Sequence, residues 1–168
     1  MKKNYLHILI LFLCILAGGK VCAQASATAN FKASATIIEP IGITTTSDMN
    51  FANIDARNGG TVILKPDNTR TATGGLELKE GANVSAATFI VTGQQGYSFD
   101  ISLPQGSYEL RNGAEAMALQ DFTFVQEQNS LGEGKSTLRV GASLYVNPNQ
   151  QPGVYNSVAD LQVTVNYN

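Results

Sequence analysis

The chain has 168 residues and a formal charge of −2, with 11 Lys and Arg against 13 Asp and Glu. A mildly acidic balance speaks against nucleic acid or an anionic membrane surface as the partner. Two cysteines, one histidine and no tryptophan leave little material for thiol, imidazole or soft-metal chemistry.

Lys2 and Lys3 precede the apolar run "LHILILFLCILA", and the small-residue stretch "GGKVCAQA" follows. A positive start, a short apolar stretch and an A-x-A-like end predict a secretory signal peptide over residues 1–23, with cleavage after Ala23 or Ala25. The apolar run is short for a bilayer span, so no stable membrane insertion is expected. Neither Cys14 nor Cys22 carries the lipoprotein pattern ahead of it. Residues 24–168 are then one secreted domain, in the periplasm, on the outer surface or outside the cell. Loss of Lys2, Lys3 and Lys20 leaves eight cations against 13 acids, a charge of −5. His7 and both cysteines leave as well, so the exported chain must fold on its core alone. An enzyme, a metal centre and a cofactor are all unexpected.

The elements in chain order are nearly all strand-like. "NFKASATII" sets Phe31, Ala33, Ala35 and Ile37 on one face. It reads either as the first strand of the domain or as an arm, residues 29–38, that completes another subunit. Pro40 breaks the ladder between this run and "IGITTT". Alternation continues in "TVILK" (Val62, Leu64), "GGLELKEG" (Leu76, Leu78) and "AATFIVTG" (Ala87, Phe89, Val91). It recurs in "GYSFDISLP" (Tyr97, Phe99, Ile101, Leu103), "DFTFV" (Phe122, Phe124) and "STLRVGASLYV" (Leu138 to Val146). "GAEAMALQDF" has helix-forming residues without helical spacing and reads as a loop passing into a strand. The chain closes on Leu161, Val163, Val165 and Tyr167, alternating with polar residues to the last residue but one.

Between these runs lie Gly-, Asn- and Pro-rich turns such as "ARNGG", "KPDNTRTATGG", "RNGAE" and "NPNQQPG". Short alternating strands with regular turns predict an all-β fold, a single immunoglobulin-like or pilin-like sandwich of antiparallel strands. Asp48, Asp55 and Asp67 lie near such turns but form no calcium loop, and read as turn residues. Tyr145, Tyr155 and Tyr167 read as core edges with wet hydroxyls, or as a sugar-binding face.

"IIEPIGIT", "MNFANI" and "PGVYNSVADLQVTVNY" give the chain a resemblance to the DUF4402 family of secreted bacterial proteins. That family usually has a glycine where Ala52 stands. It is similar in outline to spore coat protein U-like proteins and archaic chaperone–usher pilins. The pilin likeness implies a terminal pairing strand at Leu161, Val163, Val165 and Tyr167, opened by Gly153. It also implies a periplasmic chaperone, and a fold that lacks its own closing strand.

The expected role is therefore a structural subunit of a cell-surface or fimbria-like assembly, a homo-oligomer or one joined to related surface subunits by exchange of residues 29–38. The rival expectation is a self-contained monomeric sandwich that binds a glycan or a surface protein.

Overall fold

A computed structural model describes residues 25–79 and 83–168. The predicted signal segment, residues 1–23, lies outside them. The described chain falls into two units, residues 25–36 and Ile37–Asn168. In the first, residues 25–36 are exposed and form no strand.

The second unit is all-β. Its twelve strands are β1 (Gly42–Ser47), β2 (Ile54–Asp55), β3 (Gly60–Leu64), β4 (Arg70–Gly74), β5 (Glu77–Leu78), β6 (Ala87–Thr92), β7 (Phe99–Ser102), β8 (Tyr108–Asn112), β9 (Glu115–Gln126), β10 (Lys135–Val146), β11 (Asn156–Ser157) and β12 (Thr164–Tyr167). Every pairing is antiparallel. The main sheet runs β1-β6-β10-β9-β8-β11, and β3 with β4 joins it on β10. Two small ladders, β12-β7 and β2-β5, stand apart from it.

β10 is the axis. Its inward residues Leu138, Val140, Ala142, Leu144 and Val146 are all buried, as strict alternation on a central strand requires. One edge of β10 is shared: residues 135–140 pair with β6, and 142–146 with β3. Gly141 sits where one partner gives way to the other. A Cβ there would fall on the Leu64 carbonyl oxygen and the Lys65–Pro66 backbone. The sequence "RVGAS" therefore needs a glycine at the fork.

β9 contains a bulge. Gly141 pairs with Thr123 and Ser143 with Gln120, so Asp121 and Phe122 together oppose Ala142. Asp121 takes φ of 54°, a conformation Asp tolerates. The extra residue flips the parity of the strand. Met117 and Leu119 face inward before it, and Phe122 packs on the core after it. That switch explains why "GAEAMALQDF" shows neither clean helical nor clean strand spacing. It is strand from Glu115 onward rather than a loop.

Two hydrophobic clusters fill the space between layers. One holds Phe51, Val62, Leu64, Met117, Leu119, Ala142, Leu144 and Val146. The other packs Phe99 and Val165 of the small β7-β12 layer against Val91, Leu138 and Val140 of the main sheet. Fully burying one such Leu or Val is worth about 1.5–3 kcal/mol.

Candidate functional site

β1 ends the main sheet. It pairs with β6 along one edge and with no strand along the other. Its inner-face residues are Ile43, opposite Val91, and Thr45, opposite Phe89. Thr45 is exposed although it points to the core side, and Phe89 is only half-buried. The cover expected over this end of the sheet is thin.

Across from that free edge runs the C-terminal segment. Val165 and Tyr167 pair with Ile101 and Phe99. Continuing the register would set residue 163 opposite Leu103 and residue 162 opposite Pro104. Proline has no N–H to give, and the ladder stops at Thr164. The predicted terminal strand is thus shorter than its alternation suggests. Leu161 and Val163 pack on the core, but neither lies in a ladder. Among the described residues, 159–163 make no backbone–backbone hydrogen bond.

Between these two rows of unpaired backbone lies a slot of about 260 Å³, lined by Ile43, Thr45, Phe89 and residues 161–164. It continues into a wider groove of about 1730 Å³. Met117, Leu119, Phe122, Val140 and Leu144 reach the surface of that groove, and the loops 47–57 and 149–161 form its rim. The first hydrophobic cluster therefore opens to solvent along one side.

The opposite end of the slot is shut by hydrogen bonds. The Tyr167 hydroxyl accepts from the Gln94 N–H at 2.6 Å and donates to the Glu39 carbonyl at 2.8 Å. The Glu39 N–H donates to the Gln94 side-chain carbonyl at 3.2 Å. Tyr97 packs edge-on against the Tyr167 ring, with centroids 5.6 Å apart. Gly93 makes room for the hydroxyl, since a Cβ there would overlap it. The Glu39 backbone, just ahead of Pro40, is held on both its polar atoms.

The rim at the open end is braced by Arg70. Its guanidinium donates to the carbonyls of Phe51, Asn53 and Lys79, the last two at 3.1 and 2.6 Å. Ala52 adopts φ of 56°, and its N–H donates to the Asn50 side-chain oxygen at 2.8 Å. The corner where related sequences carry glycine is thus built with alanine. Further along the rim, the Gln150 amide donates to Glu115 at 3.2 Å and to the Tyr155 hydroxyl at 3.0 Å. Its own carbonyl oxygen is buried without a partner.

The predicted arm residues are placed simply. Phe31 is 91% exposed and Ile37 95% exposed, and Ala33 and Ala35 are exposed too. No strand is formed by residues 29–38. Of the turn aspartates, Asp67 accepts from the Thr69 N–H and hydroxyl, which lower its pKa. Asp55 pairs with Arg57, whose hydrogen bond lowers the carboxyl's pKa, and Glu77 is lowered mainly by Lys79. These groups are exposed, and their ion pairs are weak by nature. Tyr145, Tyr155 and Tyr167 make separate hydrogen bonds, to Asp121, Gln151 and Glu39 respectively. They form no common sugar platform.

A family profile described as "Domain of unknown function (DUF4402)" matches residues 41–167, most of the chain, and the chain belongs to that family. No curated protein and no solved structure matches it.

Proposed function

We propose that this DUF4402 member is a non-enzymatic, secreted structural subunit of a cell-surface assembly, in which residues 29–38 of one copy complete the sheet of another. The observation that carries the reading is the slot between β1 and residues 160–163, flanked on both sides by unpaired backbone. Exposed strand edges of this kind invite pairing with another chain. An alternating, extended segment that adds to such an edge gains ladder hydrogen bonds and fills pockets with alternate side chains.

The arm fits that requirement. Phe31 and Ile37 stand free in water, and burying each contributes about 1.5–3 kcal/mol. Each ladder hydrogen bond adds about 0.5–1.5 kcal/mol net. The chain's own arm is badly placed to fold back beside β1. A tight two-residue hairpin needs positive φ in its turn. Pro40 fixes its φ near −65°, and Glu39 is not among the positive-φ residues. Exchange between copies avoids that turn.

The reading is tested by sedimentation of the full chain over a range of concentrations. Assembly that grows with concentration, and is abolished by Phe31→Asp with Ile37→Asp, is expected. A wild-type chain that stays monomeric throughout overturns it.

One observation favours a second reading, a monomeric glycan-binding module. The buried, unpartnered carbonyl of Gln150 lies on the groove beside Tyr155, Asn156 and Asp160, a set suited to sugar hydroxyls. That reading requires a wild-type monomer whose glycan binding is lost on Gln150→Leu.

A further inference from the structure

The slot has one closed end and one open end, and this asymmetry fixes how a second copy can use it. We infer that the incoming arm of a second copy lies parallel to β1 and antiparallel to residues 160–164, with its N-terminus toward Tyr167, so that copies join head to tail. The inference rests on the arm-exchange reading above and adds its direction and the geometry of the product.

The argument has three steps. First, β1 and the C-terminal segment run in opposite directions. Tyr167 bonds Glu39, which precedes β1, whereas Asp160 and Leu161 share the wide groove with Ser47 and Asp48, at and beyond its far end. Second, the end at Tyr167 is blocked. The Tyr167 hydroxyl, the Gln94 backbone and side chain, and the Glu39 backbone are bonded to one another there, with Tyr97 packed outside. The other end broadens into the groove rimmed by loops 47–57 and 149–161. Third, a donor arm is tethered to its own domain through its C-terminal end, at Glu39. That domain cannot sit inside a slot of about 260 Å³. It must stand outside the open end, so the arm enters with its free N-terminus leading and stops against the Tyr167 bonds.

Length agrees. Six residues of β1 span about 20 Å at roughly 3.3 Å each, and the ten residues 29–38 reach about 33 Å. The arm can line β1 and still bridge the groove to its own domain. The subunit's own arm root, Glu39, is meanwhile held at the blocked end, a β1-length away from the mouth that receives the neighbour. Donor and acceptor sites at opposite ends make the contact heterologous. Such contacts propagate into chains or rings rather than closing as two-fold dimers.

The test uses the full chain with Cys14→Ser and Cys22→Ser, so that introduced thiols are the only ones. Arm thiols at Asn30→Cys or Thr36→Cys are mixed, one chain with another, against slot thiols at Thr164→Cys or Asp160→Cys, and joined with a short bismaleimide. Cross-linked dimer is expected from 30 with 164 and from 36 with 160. Dimer from 30 with 160 and from 36 with 164 instead would overturn the direction while leaving arm exchange standing. Four silent pairs would remove both. A chain carrying Asn30→Cys and Thr164→Cys together should give a ladder of dimer, trimer and higher species. A product that stops at dimer contradicts head-to-tail joining.

Discussion

Ala52 holds φ of 56°, a left-handed conformation that costs a non-glycine residue about 1–2 kcal/mol. Ala52→Gly removes that cost. Against it stand the greater freedom of glycine in the unfolded chain, about 0.4–1 kcal/mol, and part of one methyl's burial, under about 0.8 kcal/mol for a residue that is only half-buried. The Asn50 side chain still accepts from the residue-52 N–H, because that bond uses backbone alone on this side. The balance is a stabilisation of about 0.5 kcal/mol, or a rise in Tm of roughly 2 °C for a domain of this size. The control is Ala72→Gly in β4, where the backbone is extended and the same change should destabilise by about 0.5–1 kcal/mol. Urea denaturation of the two variants side by side reads the contrast in sign. If Ala52→Gly destabilises as Ala72→Gly does, the left-handed corner is not the source of strain.

Tyr167→Phe deletes the hydroxyl that bonds the Gln94 N–H and the Glu39 carbonyl; it should lower stability by about 1–3 kcal/mol in urea, and unchanged stability would mean that solvent replaces both bonds. Gly141→Ala drives a Cβ onto the Leu64 carbonyl at the β6–β3 fork, so it should destabilise by at least about 1–3 kcal/mol, measured by thermal unfolding, and a neutral result would show that the fork yields. Asp55, Asp67 and Glu77 all have lowered pKa values in the fold. The stability they contribute is present above the ordinary carboxylate range and lost as pH falls below about 4 through their folded values. Denaturation midpoints at low salt should therefore decline on acidification from that point down, and a rise there would contradict the assignment.

The all-β class was legible because two-residue alternation survives wherever a strand has one buried face. β3, β6 and β10 fall where Val62, Val91 and Leu138 to Val146 place them. β4 was hidden inside "KPDNTRTATGG", since threonines and glycines on an edge strand look like a turn. β8 was hidden in "SYELRN", which has only Tyr108 and Leu110 for the core. The terminal alternation overstated β12, because pairing depends on the partner strand, and Pro104 ends that partner. The slot itself could not be read from sequence. It arises from a free edge of β1 and a ladder that stops early, both properties of neighbours far along the chain. The Tyr167–Glu39 bond, across 128 positions, is of the same kind.

The central claim, that this domain lacks a strand which another copy's arm supplies, meets its most direct test in hydrogen exchange. The full chain with Phe31→Asp and Ile37→Asp retains the slot but not a usable arm. Adding a peptide of residues 27–38 should slow exchange along Gly42–Ser47 and residues 160–163, leaving the β3–β4 pair unchanged. Unaltered exchange on both sides of the slot at saturating peptide contradicts the account.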